Sequence, residues 1–308
     1  MLLFGTITSK AGGQGTMVQP AKPVEKAIKL ETGITMQYVE QGNRNGTPVI
    51  LVHGFTDSWH SFASTMTFLP EHLHVYALTM RGHGNSTKPE GGYHPRDFAA
   101  DIACFIREMK LGRAVIVGHS MGGVIAQQFA LDYPMLSSAL VIVDSDAAFK
   151  ENADLGTFLN EVSQLTDPVS HEFADAFQRS TLSNPIDTLY YGELVNETLK
   201  VPARVWKAVM NAMNEVDYTK TTLKDFRKPV IIFWGDRDFI TPFKAQERLR
   251  KVFPHAELNV YAETGHALHW ERPGQFAKDL AAFVDKLSPP TTINRGQPAL
   301  IFFRYLDV

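Results

Sequence analysis

The chain has almost no cysteine: Cys104 is the single one among 308 residues. An internal disulfide is therefore excluded, and with it a small fold stapled by such bridges. Cys104 falls within the apolar helical pattern DFAADIACFIREMKL (97–111) and is read as a buried core thiol, not a nucleophile. Positive charge is not in excess either, with 30 Lys and Arg against 33 Asp and Glu and a net charge of -3. That balance argues against a nucleic-acid partner and against an anionic membrane surface. No apolar run is long enough to span a bilayer, so no integral membrane segment is expected. The opening MLLF lacks a basic start and is too short for a signal-peptide core, so no export signal is read and a cytoplasmic location is expected. Internal repeats are lacking, as is any cysteine–histidine cluster with metal-ligand spacing, so no metal is expected.

What is present is a chain long enough for one sizeable core with an insertion, 44% hydrophobic and 20% charged. Short runs rich in Val, Ile and Leu alternate with stretches of helical periodicity, which predicts an α/β fold with a mostly parallel sheet flanked by helices. Strands are expected at 35–40, 48–53, 74–79, 114–118, 139–144, 229–234 and 257–261, and helices at 95–110, 121–133, 243–253 and 273–287. Pro95 and Pro273 stand at helix starts, where a missing N–H costs nothing. More than eighty residues separate Asp144 from the strand opening at Pro229, with helical periodicity and no strong strand. This predicts an inserted helical cap at 145–228 on a core formed by 25–144 and 229–288. Its large apolar residues, Phe149, Phe158, Phe173, Phe177, Tyr190, Tyr191, Trp206, Met210 and Met213, are expected to form mostly cap core. Residues 1–24, with glycine-rich AGGQG and Met17 as an alternative start, are expected to be a flexible leader. Residues 289–308 follow a Pro-Pro stop as a tail with the apolar stretch ALIFFRYL.

Ligands of open α/β sheets bind at the carboxyl ends of the strands, and four loops there carry reactive residues. After the 114–118 strand comes Gly118-His119-Ser120-Met121-Gly122, a G-x-S-x-G pattern followed at once by a helix. A strained turn of this kind holds its serine exposed, and small neighbours are needed for the close approach. A serine hydroxyl is a weak nucleophile without a base, and the base needs a carboxylate to hold its tautomer. His266, just past the last strand, is the candidate base, and His269 is its local rival. Asp236 or Asp238 after one strand, and Asp144 or Asp146 after another, are candidate acids in the chain order Ser, Asp, His. An oxyanion needs preset N–H donors. The turn at Gly54 offers the Phe55 amide and the helix start offers that of Met121, while His53 is read as shaping the turn. Trp59, Leu268 and Trp270 flank these loops and are expected to line an apolar pocket.

Taken together, HGF (53–55), RGHGNS (81–86), GHSMGG (118–123), GDRDFITP (235–242) and GHALHWERP (265–273) resemble the α/β-hydrolase superfamily, specifically its capped serine esterase, lactonase and haloperoxidase-like branch. The resemblance covers roughly residues 30–288. It implies an α/β-hydrolase fold, Ser120 as nucleophile, Asp238 as the triad acid, His266 as base, and the Phe55 and Met121 amides as the oxyanion hole. It also implies a small or medium apolar ester or lactone as substrate and an acyl-enzyme route that needs no cofactor. A cofactor-free haloperoxidase or perhydrolase, an N-acyl homoserine lactonase and a small-molecule receptor would keep the same triad. Carbon–carbon bond hydrolases fit less well, because they commonly carry asparagine where His119 stands. Relatives also usually have an aspartate just before RGHG, where this chain has Thr79-Met80, so that loop is expected to be held differently.

Overall fold

The computed structural model describes residues 23–151 and 153–287. The tail expectation and nearly all of the leader expectation lie outside the described residues. Eight strands form one sheet: β1 (Glu25–Lys29), β2 (Thr35–Gly42), β3 (Pro48–Val52), β4 (His74–Thr79), β5 (Ala114–His119), β6 (Ser137–Val143), β7 (Val230–Gly235) and β8 (Glu257–Tyr261). Their spatial order is β1-β2-β4-β3-β5-β6-β7-β8. The first two pairings, β1 with β2 and β2 with β4, are antiparallel, and the remainder of the sheet is parallel. The helices are α1 (Ala63–Met66), α2 (Pro95–Glu108), α3 (Met121–Asp132), α4 (Ala153–Ser163), α5 (His171–Ser180), α6 (Thr188–Leu199), α7 (Ala203–Asn214), α8 (Phe243–Val252), α9 (Leu268–Glu271) and α10 (Pro273–Leu287).

Why the central strands read as unbroken apolar runs is visible in their burial. Successive side chains point to opposite faces, and both faces are covered. Ile50, Val52, Ile116, Leu140, Ile142 and Ile232 join a core with Phe98, Phe105, Val124, Phe129 and Leu249 of α2, α3 and α8. Their neighbours Val49, Leu51, Val115, Val117, Val141 and Phe233 pack on the other side against Phe62, Met66, Phe276, Leu280 and Val284. Cys104 is buried in the first of these layers. At α2 the predicted proline start is completed by a capping box: Asp97 Oδ2 accepts from the His94 amide at 2.9 Å.

The sequence reading did not anticipate β1. Its pattern EKAIK alternates exposed and half-buried residues because it is the sheet edge, where charge discourages further pairing. Lys26 of β1 is tied to Glu40 of β2 at 2.5 Å.

Between β6 and β7 the chain leaves the sheet and forms α4 to α7. Phe158 of α4 and Phe173 and Phe177 of α5 stack within ring-centroid distances of 5.3–6.3 Å, and Trp206 of α7 meets Phe177 and Phe55 edge-on. Phe55 belongs to the loop after β3, so these helices rest on a carboxyl-end loop of the sheet. No helix among the described residues is long and apolar enough to cross a membrane.

Candidate active site

The bend between β5 and α3 holds Ser120 at φ 51° and ψ -114°, a region that a residue with a Cβ rarely occupies. The surrounding backbone enforces it. Ser120 N–H donates to Val143 O at 2.9 Å, and its carbonyl accepts from Gly123 N at 2.9 Å and Ser145 Oγ at 2.8 Å. Gly118 is required here because a Cβ on it would come within 2.0 Å of Gly122 O.

His266 sits between β8 and α9, buried, with Nδ1 2.9 Å from Asp238 Oδ2. A neutral ring that donates through Nδ1 keeps Nε2 as the basic nitrogen. Asp238 follows β7, and its Oδ1 accepts from the Ile240 and Thr241 amides at 2.8 and 2.9 Å, while Thr241 Oγ1 donates to Oδ2 at 2.5 Å. Burial would raise this carboxyl, but His266 and the Thr241 donors outweigh it and hold Asp238 below the usual carboxylate range.

The other candidate carboxylates are engaged elsewhere. Asp236 accepts a long bond from Thr264 N at 3.4 Å, as turn chemistry. Asp146 caps the Ala147 and Ala148 amides at 2.7 and 3.2 Å and pairs with Arg248. Asp144 bridges two loops, accepting from Gly235 N at 2.8 Å and Leu268 N at 3.4 Å. Burial, with Asp238 nearby, pushes Asp144 well above the usual carboxylate range. The rival His269 is fully buried, with Nε2 3.0 Å from Ser61 Oγ. Burial, with His119 and His266 adjacent, holds His269 well below the ordinary imidazole value. His53 shapes its turn: Nδ1 donates to Gly54 O at 2.7 Å and Nε2 accepts from Met80 N at 3.0 Å.

A cavity of about 370 Å³ is lined by Ser120, His266, Phe55 and Met121, with Phe149, Phe158, Phe173, Phe177, Met210 and Met213 above them. The N–H groups of Phe55 and Met121 donate to no acceptor among the described residues. Trp270 lines the cavity, but two expected pocket residues do not. Trp59 is buried with its indole donating to Glu25 at 2.9 Å and its ring stacked on His60. Leu268 packs into the core layer with Phe276, because its position at the start of α9 faces the sheet.

The loop without the usual aspartate is held by other bonds. Thr79 Oγ1 accepts from Trp59 N at 3.2 Å, Ser86 Oγ donates to Thr79 O at 2.6 Å, and Arg81 forks onto buried Asp101 at 2.6 and 2.7 Å.

Asp57 and Gln178 are among the cavity residues that were not singled out from the sequence. Gln178 Nε2 donates to Asp57 Oδ1 at 2.9 Å and to Thr198 Oγ1 at 2.6 Å, while Ser61 Oγ donates to Asp57 Oδ2 at 3.1 Å. Burial pushes the Asp57 carboxyl up to about 7 even against these donors.

The profile of a family described as having the alpha/beta hydrolase fold matches residues 47–273. The chain belongs to the α/β-hydrolase family. An uncharacterised hydrolase of Bacillus subtilis is 25% identical over 264 residues, 82% of this chain and 95% of its own length. Among solved structures, an esterase from Exiguobacterium antarcticum aligns with a TM-score of 0.77 at 20% identity, over 85% of this chain and 100% of its own. A bromoperoxidase from Bacillus anthracis aligns with the same TM-score of 0.77 at 21% identity, again over 85% of this chain and 100% of its own. At these identities the two structural likenesses are likenesses of fold.

Proposed function

We propose that this α/β hydrolase cleaves carboxylic esters or lactones, small to medium and largely apolar, through an acyl-enzyme on Ser120. The observation that carries the reading is the strained Ser120 lining one cavity with His266, whose other nitrogen is bonded to Asp238. In this reading Ser120 Oγ attacks the carbonyl carbon while His266 Nε2 takes the hydroxyl proton. The tetrahedral oxyanion accepts from the Phe55 and Met121 amides, at the positive end of α3. The imidazolium then protonates the departing alkoxide as the carbon–oxygen bond breaks, leaving the acyl group on Ser120. Water, losing a proton to the same Nε2, adds to the acyl carbon, and collapse returns the proton to Ser120 and releases the acid. Asp238 keeps His266 in the productive tautomer throughout.

The phenylalanine and methionine wall contributed by 145–228 supports an apolar acyl chain, and the cavity volume suits a small to medium one. The test is hydrolysis of p-nitrophenyl esters from acetyl to dodecanoyl, beside a simple lactone panel, by the wild type and Ser120→Ala. Serine-dependent turnover with a chain-length optimum is expected. Absence of turnover, or equal rates in the two proteins, overturns the proposal.

A further inference from the structure

The cavity wall is mostly apolar, and among its polar residues, which include Glu161, Ser180 and Thr181, Gln178 of α5 stands beside Asp57 of the loop after β3. Gln178 is 1% exposed, so its amide is no surface residue. Both of its N–H bonds have partners: one goes to the Asp57 carboxylate and the other to the Thr198 hydroxyl. Thr198, whose hydroxyl proton goes to Leu194 O at 3.2 Å, and ionised Asp57 both only accept there, so together they fix which end of the amide is nitrogen. The other end, Oε1, accepts from no donor among the described residues, although its residue lines the cavity beside Ser120 and His266. That oxygen opens on the cavity, where water serves it until a ligand displaces that water. A substrate that brings a donor replaces that hydrogen bond, whereas a purely apolar one displaces the water and leaves the oxygen unpaired.

Asp57 is itself held from behind. His269 Nε2 lies 3.0 Å from Ser61 Oγ, and Ser61 Oγ donates to Asp57 Oδ2 at 3.1 Å, so both carboxylate oxygens have donors before any ligand arrives. Thr198 is anchored in the same way, donating to Leu194 O at 3.2 Å within α6. The amide is thus clamped between the loop after β3 and the α5–α6 cap helices, in one orientation. We infer that Gln178, oriented by Asp57, is a specificity-determining residue that accepts a hydrogen bond from a hydroxyl or amide N–H of the substrate, close to the scissile carbonyl. The substrates favoured are esters that carry such a donor on an otherwise apolar chain. Gln178 makes the contact, and Asp57 is a positioning residue. The inference rests on the proposed esterase reading only in locating the scissile carbonyl between Ser120 and His266.

The experiment separates the two. Methyl butanoate, methyl 2-hydroxybutanoate, methyl 3-hydroxybutanoate and methyl N-acetylglycinate are titrated into Ser120→Ala, following tryptophan fluorescence, with Trp270 in the cavity wall. At least one donor-bearing ester is expected to bind about tenfold tighter than methyl butanoate, the size of one hydrogen bond. The hydroxy and acetamido arms tell the two donor types apart. That ratio is expected to fall to about one in Ser120→Ala/Gln178→Met and, because the amide is free to turn over, also in Ser120→Ala/Asp57→Asn. Equal binding of all four esters, or a preference that survives both substitutions, overturns the subsite. Turnover of the same four esters by the wild type is read beside binding. Serine-dependent turnover without donor preference removes the subsite and keeps the esterase, whereas donor-selective binding with no turnover keeps the subsite and removes the esterase.

Discussion

His266 Nδ1 and Asp238 Oδ2 are 2.9 Å apart, and the opposite carboxylate oxygen of Asp238 is held by two backbone amides, those of Ile240 and Thr241. Those amides decide what Asp238→Asn does. They keep an oxygen at the Oδ1 position, so the new NH₂ takes the place of Oδ2 and faces Nδ1. A donor there forces the proton onto Nε2, the wrong tautomer for a base. The expected loss in kcat on p-nitrophenyl esters is about 10³–10⁴-fold with little change in KM. A loss under tenfold would show that another carboxylate holds the ring.

Gly118→Ala tests the bend independently of activity. The added Cβ would come within 2.0 Å of Gly122 O, a backbone atom that cannot rotate away. Urea denaturation should show a loss of more than about 3 kcal/mol, or no folded protein, since the clash joins strain already present at Ser120. A variant as stable as the wild type would mean that the bend relaxes.

How far the sequence carries can be judged from particular residues. The central parallel strands were legible because a doubly covered parallel sheet writes itself as unbroken Val, Ile and Leu runs, as at PVILV and AVIVGH. β1 was hidden because an edge strand needs charge, and charge at Glu25, Lys26 and Lys29 mimics a loop. The bend at Ser120 was legible because its requirement is local: small residues around one strained turn. Choosing Asp238 over Asp144 required the family pattern, since both follow strands and only the hydrogen bond to His266 separates them. Trp59 and Leu268 were misjudged as pocket residues because nearness in sequence to an active loop says nothing of which side a side chain faces. Gln178 was beyond reach for the complementary reason: its partners Asp57 and Thr198 are 121 and 20 residues away.

Arg81 and Asp101 form a two-bond fork at 2.6 and 2.7 Å, and Asp101 has no exposed surface. This pair anchors the loop after β4 onto α2. Removing only the arginine, in Arg81→Met, strands a buried carboxylate that Thr32 Oγ1 alone would still serve. The expected destabilisation is about 3–5 kcal/mol by urea denaturation. In the double variant Arg81→Met/Asp101→Leu much of that loss should return, because no unpaired charge is left. A single variant within about 1 kcal/mol of wild type would contradict this anchoring role.

Four buried histidines make the fold sensitive to mild acid. Burial lowers His53 and His269 well below the ordinary imidazole value, brings His83 to about 4, and brings His119 to about 3. Above about 6.5 these rings are neutral whether folded or not, and they leave stability unaffected. As pH falls below that value the unfolded chain takes up protons that the folded rings refuse, so stability falls, by up to about 1.4 kcal/mol per pH unit for each ring. Asp57, raised to about 7, and Asp144, raised well above its usual range, act in the opposite sense, because the folded chain holds their protons first. Both carboxyls stabilise as pH falls from about 7 towards 4, but the imidazoles outnumber them. The net expectation is a urea midpoint that drops between pH 6.5 and pH 4.5. His83→Gln should make that drop shallower by about one proton, since burial of the His83 ring is one of the four causes. A midpoint that stays level or rises over this range would mean that these rings are protonated in the folded protein.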